Sequence, residues 1–186
     1  MRSRLSRREL VGGAALTAAG GLLLGLPGAA AAQGTADMTA MLGAVRLEQA
    51  LGVAYAGMAA RARLGRDLQD LLLHLADHER QHAAALLTLA EYIGVLPPKV
   101  PTLAQVEAML PGVRAAVDRG TALAVLDELE RAELLGFYTD EQVLTDTKLI
   151  EVVGAVMCSD AQHLAVVRQM SGLDPIPTAL ETGNVR

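Results

Sequence analysis

The sequence predicts an all-α protein, a four-helix bundle made of two antiparallel helix hairpins joined by a long crossover. Three observations predict it. Four long segments carry apolar residues at alternating steps of three and four, with few breakers inside them. The links within each half are short, whereas the link between the halves is long and opens on prolines. Apolar residues make up 52% of the chain and aromatic ones only 2%, so Ala, Leu and Val supply the bulk, which suits close helix packing better than a β-sandwich.

The first helix is expected over residues 37–64. The second is expected over 66–93, where Gly94 can cap it and Pro97-Pro98 cannot continue it. Little more than Gly65 separates the two, so they should be antiparallel neighbours. The third is expected over 121–143 with Thr121 as N-cap. The fourth starts at Thr145 or Asp146, also N-cap types, and ends at Met170, before Gly172. The crossover, 95–120, holds Pro97, Pro98 and Pro101 and a short helix candidate over 103–110. Residues 173–186 carry Pro175 and Pro177 and are expected to form an extended tail.

The N-terminus has a different character. Arg2, Arg4, Arg7 and Arg8 precede an uncharged apolar run from Val11 to Leu26, and Pro27-Gly28 then leads into Ala29–Ala32. A basic start, a short apolar run and a small-residue exit make a secretory signal over residues 1–32, leaving the bundle at 33–172. The competing reading is an uncleaved membrane anchor, but the run is short for a span and Gly12, Gly13, Gly20 and Gly21 dilute it. Ser6-Arg7-Arg8-Glu9-Leu10-Val11 resembles the twin-arginine signal, which implies export of an already folded protein to the periplasm or beyond. No membrane span is expected in the mature chain.

Charge and cysteine content exclude other classes. The chain has a net charge of −5, and removing the signal takes away four arginines and one acid, which leaves a still more acidic protein. An acidic, aromatic-poor surface argues against nucleic-acid binding. A single cysteine, Cys158, rules out a disulfide framework or a cysteine-based metal site within one chain. It reads as a small buried residue.

The seams of the helices carry the chemistry. On the second helix Leu68, Leu72, Leu75, Glu79, His82, Leu86 and Leu89 keep the core rhythm, with two polar residues in the middle. On the fourth, Ile150, Val153, Val156, Asp160, His163, Val167 and Met170 do the same. An acid and a histidine three residues apart lie one turn apart and face one place. The first helix has a seam through Met41, Val45, Glu48, Gly52, Tyr55 and Ala59, and the third through Leu123, Asp127, Glu130, Leu134 and Phe137. Leu47-Glu48-Gln49-Ala50 is echoed by Leu129-Glu130-Arg131-Ala132, so the chain reads as two related hairpins. A two-fold axis between them would bring Glu48, Glu79, His82, Glu130, Asp160 and His163 together. Burying those groups without compensation would be costly, and a bound cation would relieve the cost.

This pattern resembles the ferritin-like superfamily, whose di-iron and di-manganese members use one Glu from each of two helices and Glu-x-x-His from each of the others. The likeness spans all four helices. It looks closest to exported bacterial ferritin-like proteins, which are similar in having Leu-Glu early in the first and third helices. The resemblance implies two iron or manganese ions per chain. Glu48 and Glu130 would be terminal carboxylates, Glu79 and a partner acid would bridge, and His82 and His163 would each give a nitrogen. Four carboxylates offset the charge of two divalent ions, and oxygen–nitrogen ligation suits iron or manganese. Ferroxidase or peroxide and oxygen chemistry is the implied activity. The sequence departs from the pattern at Asp160, one methylene shorter than Glu, which leaves a mononuclear site open.

Each residue also has a plainer reading. The six could be a salt-bridge network with Arg80 or Arg131, in a metal-free bundle that acts as a stress-related or envelope interaction protein. Glu133, one turn from Glu130, could replace or supplement it, though Leu51 stands at the matching place on the first helix. His74 and His78 read as surface or packing histidines. Tyr55 could hydrogen-bond a carboxylate, relay an electron or simply fill the core. Met157 and Met170 read as core. A homo-oligomer is open, since sequence does not show assembly.

Overall fold

Helices begin where a side chain can close the first turn and stop where the backbone must leave the right-handed region. The computed structural model describes residues 29–61, 63–178 and 182–183. It is all-helical, with six helices and no strand among these residues: α1 (Ala29–Ala59), α2 (Arg66–Tyr92), α3 (Leu103–Met109), α4 (Pro111–Ala115), α5 (Arg119–Glu141) and α6 (Thr147–Met170). The arginine pairs and the apolar run read as an export signal lie outside the described residues. Ala29–Ala32, the expected exit site, lie in the first turns of α1. The tail forms no helix or strand where it is described, over 171–178 and 182–183.

The caps explain most boundaries. Asp146 caps α6, accepting from the Lys148 amide at 2.8 Å. Gly94, at φ 81°, lets the chain turn after α2. Thr102 opens α3 through a capping box with Gln105. Four features differ from expectation, the first being that α1 begins at Ala29, within the segment read as a signal, rather than at residue 37. The N-cap of α5 is Asp118, not Thr121: Thr121 is the third helical residue, and each accepts the other's amide. The residues 111–115 add a helix, α4, with Pro111 at its first position, where the missing N–H costs nothing. α1 ends at Ala59 rather than near residue 64. Arg61 is taken up by the crossover instead, its guanidinium donating to the carbonyls of Val113 and Ala116 and pairing with Glu107 at 3.0 Å. The Gln69 side-chain Nε2 donates to the Arg61 carbonyl at 2.9 Å, and Gly65 turns into α2 at φ 84°, ψ 151°.

α1 packs chiefly on α2 and α5 chiefly on α6, and the two pairs meet through α1 with α5 and α2 with α6. The short α3 lies on α1 and α4 on α5. The short connections make the partners in each pair antiparallel. α6 is long and apolar enough to cross a membrane by length and composition, a property it shares with core helices of water-soluble bundles.

The core is divided in two. One apolar cluster gathers Leu51, Tyr55, Met58, Leu68, Leu72, Leu75, Leu126 and Val167 with residues of α3 and α4. The other gathers Met41, Val45, Leu86, Phe137, Leu149, Val153 and Val156. On each long helix the fully buried acids fall between the two clusters, whereas Asp127 lies beside Leu126 and Leu129 and is only partly buried, so the helical core has an apolar, a polar and an apolar layer. At the helix ends the seam drifts by one residue. Ala90, not Leu89, and Leu149, not Ile150, are fully buried there. A straight helix turns once in 3.6 residues, so an alternation of three and four loses register over two or more heptads. Cys158 is exposed, contrary to expectation: it lies midway between Val156 and Asp160, and so on the opposite side of α6 from their shared face.

Candidate metal centre

The polar layer is built from one or two side chains of each long helix. Glu48 comes from α1, Glu79 and His82 from α2, Glu130 and Glu133 from α5, Asp160 and His163 from α6. All five carboxylates are 0% exposed and His163 is 5% exposed. His82 is largely covered. The six residues singled out from the sequence therefore share one place in the fold, and Glu133 joins them.

They form two groups around Glu79. In the first, Glu48, Glu79, His82 and Asp160 each offer a donor atom, all within 4.8 Å of one another. His82 Nδ1 lies 3.2 Å from Glu79 Oε2 and 3.4 Å from both Glu48 Oε2 and Asp160 Oδ1. In the second, Glu79, Glu130 and His163 meet the same 4.8 Å limit. His163 Nδ1 lies 3.3 Å from Glu79 Oε1 and 3.6 Å from Glu130 Oε2. Glu79 thus sends one oxygen to each group. Asp160 Oδ1 lies within 3.6 Å of His163 Nδ1 as well as near His82, so the shorter side chain still reaches both rings. At Gly52 α1 comes close to α2; a Cβ there would stand 3.5 Å from Glu79 Cβ.

Two outer contacts hold the second group. Tyr55, fully buried on α1, donates its hydroxyl to Glu130 Oε1 at 2.8 Å. His78 Nδ1 lies 2.8 Å from His163 Nε2. His78 is half-buried, and the ring of exposed His74 lies 4.1 Å from it. The sequence did not reveal this role for His78. Its only signal was position, immediately before Glu79 and one turn before His82 on the flank of the seam.

Many inward atoms have no hydrogen-bond partner. They are both oxygens of Glu48, Glu133 and Asp160, Glu79 Oε1, Glu130 Oε2 and His163 Nδ1. Native proteins rarely leave buried polar atoms in that state. The arginines do not satisfy them. Arg80 pairs with Asp77 at 2.9 Å among exposed side chains, and Arg131 and Arg168 each reach Asp127 at 3.4 Å.

The electrostatics show the same strain. Burial, then the facing Glu79, Asp160 and Glu130, holds the Glu48 carboxyl well above its ordinary range. Burial and the other four acids do the same to Glu133. Asp160 is pushed from 3.8 to about 9 by burial and by Glu79 and Glu130. Glu79 goes the other way, to about 2: burial opposes ionisation, but the adjoining His163 and His82 rings outweigh it. For His163 burial also opposes the charge, and the carboxylates of Glu130 and Glu79 nonetheless lift it from 6.5 to about 10. His78 is lowered by burial and the neighbouring imidazoles. Five buried acids face two histidines, and like charges this close cannot all ionise unless a further positive charge joins them.

Comparison with family models, curated proteins and solved structures finds no match. The function therefore has to be read from the site itself.

Proposed function

We propose that this is an exported ferritin-like protein whose two helix hairpins hold a pair of iron or manganese ions. The observation that carries the reading is the convergence of Glu48, Glu79, His82, Glu130, Asp160 and His163 into one buried layer whose inward atoms lack partners. Those orphaned oxygens and the His163 nitrogen are the donor types that divalent iron and manganese take. Glu48, His82 and Asp160 would hold one ion and Glu130 and His163 the other, with Glu79 facing both. Two bound redox ions would supply electron transfer to oxygen or peroxide, that is, ferroxidase or peroxide-consuming chemistry. The chain's own part is to strip water from the ions, fix their separation and balance their charge. Partners would be the ions themselves, a second copy of the chain remaining open.

The metal-free alternative, read from the sequence, is a salt-bridge network with Arg80 or Arg131. Arg80 and Arg131 pair elsewhere, with Asp77 and Asp127.

Elemental analysis of untagged protein tests the reading, beside a Glu79→Ala, His82→Ala double variant. About two iron or manganese per chain are expected, and the variant should lose them. A wild type that holds none and takes up neither ferrous nor manganous ion would overturn the reading.

A further inference from the structure

The two halves of the layer are not equally supported. In the half formed by Glu79, Glu130 and His163, each ligand has one atom left bare, and two of the three, Glu130 and His163, have the other atom tied from outside the layer. Glu130 Oε1 accepts from Tyr55 at 2.8 Å, and Oε2 has no partner. His163 Nε2 lies 2.8 Å from His78 Nδ1, and Nδ1 has no partner. Glu79 Oε2 faces His82 at 3.2 Å, and Oε1 has no partner. The three bare atoms face one another, with His163 Nδ1 at 3.3 Å from Glu79 Oε1 and 3.6 Å from Glu130 Oε2. The other half has no such outer ties. Both oxygens of Glu48 and both of Asp160 are without partners, and among the described residues no hydrogen bond is made through His82 Nε2.

We propose that His78 is a positioning residue that holds His163 with Nδ1 turned into the layer, so that the Glu79–Glu130–His163 half takes its ion first and more tightly. A ligating Nδ1 must carry no proton, so the ring proton sits on Nε2. That Nε2–H donates to His78 Nδ1, and His78 then carries its own proton on Nε2. The angle of the ligand is set before any ion arrives, and with Nε2–H held by His78, Nδ1 is the nitrogen that gives up its proton when the ion binds. Outer partners of this kind do the same at other histidine-ligated metals. The usual partner is a carboxylate or a carbonyl; an imidazole from the neighbouring helix fills the place here. The inference rests on the two-ion reading and adds which ion is held first and why.

The test is a manganous-ion titration of metal-free protein, followed by calorimetry and by electron paramagnetic resonance of the free ion. Wild type should bind in two phases. His78→Ala should loosen the tighter phase by roughly tenfold to a hundredfold and leave the looser one unchanged. His78→Asn, which keeps an acceptor near the Nδ1 position, should restore most of the loss, and His74→Ala should change neither phase. Thermal melts of the metal-free variants should match wild type, which separates positioning from a general loss of packing. Two equal phases, a loss confined to the looser phase, or an Asn variant as weak as the Ala one would overturn the inference and leave the metal centre standing. No uptake by wild type would remove the two-ion reading, and this inference with it.

Discussion

Tyr55 serves a glutamate on another hairpin rather than the one on its own helix. It stands seven residues after Glu48, yet its hydroxyl donates to Glu130 Oε1 at 2.8 Å. At the matching place on α5 stands Phe137, which has no hydroxyl to offer Glu48 in return. The internal symmetry of the sequence is therefore broken at the chemically important position. Tyr55→Phe should lower the stability of the metal-free protein by about 1–3 kcal/mol, because it leaves a buried carboxylate oxygen without a donor. Urea denaturation of the two metal-free proteins measures it; equal midpoints would mean the bond contributes nothing.

The pH dependence of the metal-free fold follows from three groups. Asp160 has a folded pKa of about 9 against 3.8, so its contribution to stability is present below 3.8 and is lost as pH rises towards 9. His163, at about 10 against 6.5, loses its contribution as pH rises over that span. Glu79, at about 2 against 4.5, loses its contribution as pH falls through that interval. The metal-free protein should therefore weaken steadily from about pH 5 to pH 9. Ion binding needs bare donors, so it should release protons near neutrality and tighten as pH rises. Calorimetry in buffers of different ionisation enthalpy reads the proton release directly, and a release of zero at pH 7 would contradict it.

Glu133 is fully buried with neither oxygen hydrogen-bonded. Its counterpart on α1 is Leu51, which lies in the core. Glu133→Leu should stabilise the metal-free protein by about 1–3 kcal/mol, since it removes a desolvated polar group and puts apolar volume in its place. A destabilised variant would show that Glu133 has a partner in solution.

Gly65 sits at φ 84°, ψ 151°, a region that side chains scarcely enter. Gly65→Ala should cost about 1–3 kcal/mol in a thermal or denaturant melt. Gly43 has φ in the ordinary range and open space around its Cα, so Gly43→Ala is the control and should be neutral or mildly stabilising.

The sequence by itself determined the helical class, the approximate spans of α2, α5 and α6 and the six seam residues, while α1 runs over Ala29–Ala59 rather than 37–64. It could do so because burying one face of a helix writes a period into the chain, and polar residues on that face stand out against it. Tertiary structure decided the rest. The end of α1 depends on Arg61 reaching the carbonyls of Val113 and Ala116, more than fifty residues away, and no local pattern encodes that. The burial of Leu149 over Ile150 depends on how far the helix turns over its length. That Asp160 reaches both histidines depends on how the helices approach, not on side-chain length alone. Above all, His78 looks like a surface histidine in the sequence, because its role exists only where α6 brings His163 to within 2.8 Å of it. Periodicity specifies which face a residue occupies; only the packing of helices specifies which neighbour it meets.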